Sequence, residues 1–217
     1  MAGVDRDLRA QRSGATRLQI LSAAERLFAE HGLYAVSNRR ISVAAGQGNN
    51  AAVGYHFGTK ADLVRAIVRG HGERIERLRA AMVAAVTGSQ DVRDWVACLV
   101  RSHTAHLDSL GVHSWFARFA AQVATDPVFG AIVSEEVMAA PSLEEAIAGF
   151  DRCSPDLPRD VRAEREAMVR TLMVHVCAER ERALAEGTGT PRATWDEVAA
   201  GLVDAITGLW TAPVTRR

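Results

Sequence analysis

Three amide side chains lie close together in the sequence, at Gln47, Asn49 and Asn50. An amide group donates and accepts hydrogen bonds at once, so it can bond the major-groove edge of an adenine and discriminate among bases by about 1–3 kcal/mol. An asparagine can instead cap the start of a helix, which stabilises the helix by about 1 kcal/mol. We expect one asparagine to act as a cap and at least one amide to contact a base.

The elements that must position these amides are short helices. Apolar residues recur at helical spacing from Thr16 onward, and Gly32 suits the left-handed cap that ends such a helix. Ser37 is typical of the N-cap of a second, short helix. Gly46 permits the sharp turn that must follow it. The sequence therefore predicts a helix, a short helix and a turn leading into the amide-containing stretch.

A third and a fourth helix are predicted after the turn. Asn49 or Asn50 can cap a short helix that runs to about His56. Thr59, with Asp62 at the third position of the next helix, forms a pattern typical of a capping box. Leu63 and the apolar residues after it give this fourth helix a buried stripe.

The remainder of the chain also predicts helices. Aromatic content is only 6%, hydrophobic content is 48%, and alternating β-branched residues are scarce, which favours an all-α fold of about nine to ten helices. No apolar run approaches the roughly 20 residues of a membrane span, so we expect a cytoplasmic protein without a membrane partner. Glycine and proline breakers separate six predicted helices, at 90–109, 112–124, 127–139, 142–151, 159–185 and 194–211.

Charge is distributed unevenly along a chain whose formal net charge is zero. Residues 1–75 hold eleven Arg and Lys against six Asp and Glu, and the remainder carries the compensating acidic excess. A basic N-terminal part on an acidic body indicates that this end faces a polyanion. The three cysteines are widely spaced, which fits neither a disulfide framework nor a Cys-x-x-Cys metal or redox motif.

Three motifs follow one another in fixed order. They are Phe28-Ala-Glu-His-Gly32, Ile41-x-x-Ala-Ala-Gly46 and Tyr55-His56-Phe57-Gly-Thr-Lys60. Over residues 16 to 68 the sequence thereby resembles the TetR family of bacterial repressors. The resemblance implies a helix-turn-helix DNA-binding domain at 16–62, a flexible basic arm at 1–15, and a domain for effector binding and dimerisation at 63–217. The chain departs from the family pattern in a longer link after Gly46 and in a glycine at Gly54, where an aromatic residue is frequent.

The resemblance also implies roles for individual residues. Tyr55 and His56 match positions that contact the DNA backbone or nearby bases, and Lys60 matches a position whose ammonium meets a phosphate at the start of the fourth helix. A solvated lysine is the alternative. Arg39 and Arg40 flank the second helix, where they can contact phosphates or simply lie in solvent. Four arginines could extend the contact to the backbone or minor groove: Arg6, Arg9, Arg12 and Arg17.

The body would dimerise through the last two predicted helices and enclose an effector, as the family does. The apolar or small residues considered for the dimer face are Ala167, Val174, Leu202, Ile206 and Leu209, each of which could instead belong to the core of one chain. The side chains considered for an effector pocket are Trp95, Leu99, His103, Trp115, Phe119, Met168, Leu172 and His175. Ordinary core packing is the simpler explanation of this set.

The sequence favours a dimeric repressor that binds a palindromic DNA operator and is released by a small apolar or amphipathic effector. An enzyme would need a nucleophile with a base, paired carboxylates or a phosphate loop, and we identify no such pattern. His103 and His106 could face one way on a helix, yet no carboxylate or thiol motif accompanies them, so no metal and no cofactor is expected. The alternatives are an all-helical ligand-binding or enzyme-like protein without sequence-specific DNA binding, and an interaction module that has lost DNA binding.

Overall fold

The computed structural model describes residues 2–49 and 51–215, and of residues 2–10 it describes only the backbone. Ten helices and no strand occupy this part of the chain, which confirms the predicted all-α fold. The helices are α1 (Ala2–His31), α2 (Asn38–Ala44), α3 (Ala52–Phe57), α4 (Lys60–Ala85), α5 (Val92–Leu110), α6 (Phe116–Ala124), α7 (Pro127–Met138), α8 (Pro141–Cys153), α9 (Arg159–Glu186) and α10 (Trp195–Thr211). Asn50 lies outside the described residues.

The N-terminal domain is built by caps and turns that the sequence predicts. Gly32 follows α1 with a φ of 82°, and the Ser37 side chain accepts a hydrogen bond from the Arg40 N–H at the start of α2. Gly46 turns the chain after α2 with a φ of 68°. A side chain with a Cβ adopts such angles only at a cost, so these glycines fix where the helices end. Fully buried side chains hold α1, α2, α3 and α4 together, among them Ile20, Phe28, Ile41, Val53 and Leu63.

Helix α1 begins earlier than the sequence predicts. Its backbone is helical from Ala2, so the segment 1–15 that was expected to be a flexible arm continues the helix over its described part. Alanine and arginine make up six of these fifteen residues, and both have high helix propensity. Apolar periodicity predicts a helix start at Thr16, because the periodic pattern is absent where the helix extends beyond the core.

The body packs around α4, α5 and α6. Helix α5 packs mainly against α10, α4 and α8, and α6 packs against α9, α1 and α7. The capping box predicted at the start of α4 is present, with Thr59 and Asp62 each accepting a backbone N–H of the other. No helix in the described part of the chain combines the length and apolar character needed to cross a bilayer.

Three buried charged residues of α9 fasten it to its neighbours. Arg165 donates to the carbonyls of Trp210 and Ala212 at the end of α10, over 2.6 and 2.7 Å. Arg180 donates to three oxygen atoms of the loop between α9 and α10. Glu181 accepts two backbone N–H groups at the start of α6. Because each charge complements the partial charge of a helix end or an array of carbonyls, the body can bury them.

Candidate nucleic-acid interface

The outer face of α3 carries small residues and one large side chain. Val53 and Phe57 point into the core of the N-terminal domain, whereas Ala51, Gly54 and Tyr55 are exposed. Tyr55 is 83% exposed, more than any other large hydrophobic residue in the described chain. A Cβ added at Gly54 would meet no atom within 4 Å. The helix therefore offers one large aromatic side chain beside backbone that a partner surface can approach closely.

The described amides behave differently from one another. The Asn49 side chain accepts the N–H of Ala51 at 2.9 Å, which forms a turn just ahead of α3, although Ala51 itself is the N-cap residue and makes no side-chain cap bond. Gln47 is half-buried and donates to the side chain of Gln19 and to the carbonyl of Ala45, at 3.1 and 3.0 Å. Asn49 thus orders the turn, and Gln47 braces it against α1.

Lys60 points toward the interior of the N-terminal domain. Its ammonium donates to the carbonyls of Leu33 and Val36 at 2.7 and 2.8 Å, and it lies 5.9 Å from the ring centroid of Phe28. Burial lowers the pKa of the Lys60 ammonium below its ordinary value. Neither the predicted phosphate contact nor a solvated charge describes this geometry, because the side chain fastens the α1–α2 loop to the start of α4.

Exposed arginines surround the short helices. The Arg39 side chain is exposed and makes no hydrogen bond within the described part of the chain, while Arg40 lies 2.6 Å from the His31 imidazole. Arg17 donates to the carbonyl of His56 at 2.8 Å, and its guanidinium lies 4.1 Å from the ring centroid of Phe57. The sequence did not indicate that Arg17 braces α3, because Arg17 and His56 are 39 positions apart in the chain.

Arg12 is exposed on the N-terminal extension of α1, and the side chains of Arg6 and Arg9 lie outside the described residues. His56 is half-buried, with its ring 5.0 Å from that of Tyr55. The predicted set therefore separates into exposed residues, Arg39, Arg40, Asn49 and Tyr55, and residues held by the domain, Gln47 and Lys60. The exposed members give this end of the molecule a basic and aromatic surface, which suits a polyanion.

The N-terminal domain contacts the body beyond α4. Tyr34 lies with its ring 5.9 Å from that of Phe129, and a hydrogen bond to Asp126 raises the pKa of the Tyr34 hydroxyl. A groove of about 390 Å³ runs along this contact, lined by residues on both sides such as Gly32 and Pro127. A second depression of about 490 Å³ lies between α1 and α2. None of the eight residues considered for an effector pocket lines either of them.

The predicted pocket residues have very different environments. Trp95 and Phe119 are fully packed, since Trp95 lies directly against Gly149, where a Cβ would come within 2.3 Å of its ring, and Phe119 stacks on Phe28. Leu99, His103, Trp115 and Leu172 are half-buried. Met168 and His175 are exposed on α9. For Trp95 and Phe119, tight core packing accounts for the side chain.

Comparison with known proteins identifies the N-terminal domain. Residues 20–67 match the model of the bacterial regulatory proteins of the tetR family. Residues 20–67 therefore form a tetR-family domain. This assignment confirms the resemblance seen in the three sequence motifs, and with it the helix-turn-helix domain followed by a helical C-terminal domain. No curated protein matches the chain significantly in sequence.

Solved structures share the whole fold at low sequence identity. A TetR-family transcription regulator from Marinobacter aquaeolei VT8 is 16% identical, with a TM-score of 0.60 over 92% of this chain and 97% of that one. A putative tetR-family regulator from Shewanella sp. PV-4 is 14% identical, with a TM-score of 0.61 over 93% and 99%. The fatty acid degradation regulator FadR from Bacillus halodurans is 16% identical, with a TM-score of 0.59 over 89% and 95%. These likenesses extend the TetR-family fold to the C-terminal domain.

Proposed function

We propose that the chain is a dimeric transcriptional repressor that binds a palindromic DNA operator through α3 and is released by a small-molecule effector. The observation that carries this proposal is the outer face of α3, where Tyr55 and the open backbone at Gly54 lie next to exposed arginines. A short helix of this kind fits the major groove, whose base edges form a readable pattern of donors and acceptors.

Within this proposal some residues contact DNA and others hold α3 in position. Tyr55 and Asn50 contact bases or the nearby backbone, Arg39 and Arg40 contact phosphates, and the α1 extension adds further backbone contacts. Gln47 and Lys60 hold the turn and the loop that aim α3, since their polar groups are already engaged inside the domain. His56 supports Tyr55 by ring contact.

DNA binding can be tested by titrating the purified protein with the DNA upstream of its own gene at several salt concentrations. We expect sequence-dependent, salt-sensitive binding with Kd on the order of 10⁻⁸ M or tighter, and a footprint with two half-sites about 34 Å apart. Tyr55→Ala should weaken this binding at least tenfold, whereas Tyr34→Ala, which changes the chain's other tyrosine on the side of the body, should not. Equal effects of the two substitutions would contradict the docking of α3.

The dimer face is proposed on the outer surface of α9 and α10. Leu202 and Ile206 are 3% exposed and belong to the core of one chain, whereas Ala167, Val174 and Leu209 remain partly exposed. The outer surface of α10 also carries Gly208, where an added side chain would meet open space within the chain. Small residues let two such helices approach closely.

The oligomeric state tests this face directly. Gly208→Arg should convert a dimer into a monomer in sedimentation equilibrium, because the new side chain points at the proposed partner. Gly70→Arg places the same residue at an exposed, open glycine in the middle of α4 and should leave the dimer intact. A monomeric wild type, or a dimer in both variants, would refute this interface.

The effector is proposed to be a small apolar or amphipathic molecule bound within the body, in the cytoplasm where the DNA lies. Half-buried Leu99 and His103, one turn apart on α5, combine apolar surface with a polar group, as small-molecule sites do. Release requires only that the effector favour a domain arrangement that fits the operator less well, with a coupling of about 1–3 kcal/mol. If no compound in a broad screen changes both operator affinity and melting temperature, this part of the proposal fails.

A further inference from the structure

Glu25, His71 and His106 form a hydrogen-bonded chain across three helices. His71 Nε2 lies 2.8 Å from Glu25 Oε2, and His71 Nδ1 lies 2.8 Å from His106 Nε2. Phe116 stacks on the His71 ring with a centroid separation of 3.7 Å. This chain of groups, called here the histidine tie, joins α1 of the DNA-binding domain to α4, α5 and α6, and operator docking does not use it.

Both hydrogen bonds form when the two imidazoles are neutral. His71 Nε2–H then donates to Glu25, and His106 Nε2–H donates to the bare Nδ1 of His71. His106 Nδ1 is left as an acceptor that is buried and has no partner among the described residues. The geometry thus accommodates the tie when each ring carries its hydrogen on Nε2.

Protonation disrupts this pattern. A proton on His71 Nδ1 must be donated to His106 Nε2, which moves the hydrogen of His106 onto its Nδ1, where a buried donor would lack any acceptor. A second proton would set two N–H groups against each other across 2.8 Å, and they cannot hydrogen-bond. Protonating His106 therefore creates a buried donor that lacks an acceptor, and a second proton in the pair favours separation of the helices that the tie joins.

The surroundings oppose positive charge on this part of α5. Burial, followed by the nearby charge of His71, lowers the pKa of His106 to about 4. Burial and the Arg79 guanidinium lower the pKa of His103 to about 4 as well. The titratable and charged groups that face these two histidines come from α1, α4 and α5: Glu25, His71, Arg74, Arg79 and, for each histidine, the other one.

We propose that the histidine tie positions the DNA-binding domain on the body and releases it as the pH falls, so that operator binding weakens in acid. His71 is the positioning residue, because it contacts both α1 and α5. The inference rests on the proposed operator binding, and it adds the proton as a regulatory ligand of the same site.

The direction and size follow from proton linkage. His106 binds a proton less readily in the tied form than in a released, solvated form, so the tie is favoured above pH 6.5 and is lost as the pH falls toward 4. With a pKa of about 4 when tied and about 6.5 when released, the balance shifts toward release by about tenfold between pH 7.5 and 5.5. Operator affinity can fall by up to that factor.

The experiment measures operator affinity by fluorescence anisotropy at pH 7.5, 6.5 and 5.5 and constant ionic strength, for the wild type and His71→Gln. Every titratable group other than residue 71 is the same in both proteins, so the comparison between them isolates the tie. We expect the ratio of Kd at pH 5.5 to Kd at pH 7.5 to be about tenfold larger for the wild type.

His113→Gln makes the same change at an exposed histidine outside the tie and should keep the wild-type ratio. If circular dichroism shows that His71→Gln does not fold, Glu25→Gln replaces it. This substitution replaces the charged acceptor of His71 by a neutral amide and weakens the α1 end of the tie, so its ratio of the two Kd values should also be smaller than that of the wild type. Equal pH profiles for the wild type and the tie variant overturn the inference. A wild type that binds no specific DNA at pH 7.5 overturns the proposed function instead.

Discussion

Replacing Lys60 by methionine should destabilise the protein without removing a contact to DNA. The substitution keeps most of the aliphatic stem and deletes the ammonium, so the carbonyls of Leu33 and Val36 lose their charged donor. A hydrogen bond to a charged group contributes about 1.5–3 kcal/mol, and the two bonds together exceed the desolvation cost that lowers the pKa of Lys60. We expect a net loss of about 2–3 kcal/mol in the free energy of unfolding.

Urea unfolding at one fixed protein concentration measures this loss as a fall of about 1 M in the midpoint, given slopes of about 1–3 kcal/mol/M. Arg39→Met is the matched control, because Arg39 is exposed and unbonded within the described chain. Its stability should change by less than about 0.5 kcal/mol. Its salt dependence of DNA binding should fall by about 0.9 per phosphate contact removed.

The two substitutions should therefore give opposite results. At temperatures where the variant is folded, Lys60→Met should keep the wild-type slope of log Kd against log salt. If Lys60→Met leaves the urea midpoint in place and lowers the salt slope by about 0.9, the ammonium contacts a phosphate and the reasoning from its buried contacts is wrong.

Three further perturbations have outcomes that the structure determines. Gly54→Ala should raise stability by up to about 1 kcal/mol, since the glycine lies inside a helix facing open space, and should weaken operator binding in the same anisotropy assay because the methyl group would face DNA in the proposed complex. Glu181→Gln should lower the free energy of unfolding in urea by about 3 kcal/mol, because Arg118 loses its buried counter-charge. Burial lowers the pKa of His103 and of His106 to about 4, so each should contribute about 2 kcal/mol to a fall in stability, measured by urea unfolding, between pH 7 and 5.

Local signals in the sequence predicted most of the helices. The predicted helix caps are present at Ser37 and Thr59, and the predicted turn is present at Gly46. A cap or a left-handed turn depends on residues only a few positions away, so the local sequence is enough to predict it. The helices after α4 follow their breakers closely. Helix α6 is the exception, since it starts at Phe116 rather than near residue 112.

The start of α6 depends on a residue far along the chain. Glu181 of α9 accepts the N–H groups of Ala117 and Arg118 and the hydroxyl of Ser114, which supplies a cap that the residues before α6 do not provide. A carboxylate among the many charges of α9 gives no sign in the sequence of such a role. A contact between helices far apart in the chain, such as that of α9 with α6, is visible only in the three-dimensional structure.

The candidate site was likewise predicted only in part, because its long-range contacts cannot be read from local sequence. Motif order in the sequence predicted a candidate DNA-binding surface, and Tyr55 and Arg39 are exposed there. The sequence alone does not show that Lys60 and Gln47 are engaged inside the domain, because the residue type of a polar side chain does not reveal whether it is exposed. His71 was missed as well, although His106 was noticed, since their meeting depends on how α4 packs on α5.

The long-range contacts also explain how the body can act on the DNA-binding domain. Glu181 fixes the start of α6 to α9, and Phe119 of α6 stacks on Phe28 of α1 at 6.2 Å. If α9 shifts and α6 follows it, α6 also moves α1. If α6 stays in place, the buried ionic contact of Glu181 breaks, which is costly. The histidine tie also reaches α1, through α4 and α5. An effector that moves α6 and a proton that separates α4 from α5 would thus act on one helix, α1, whose Arg17 braces α3.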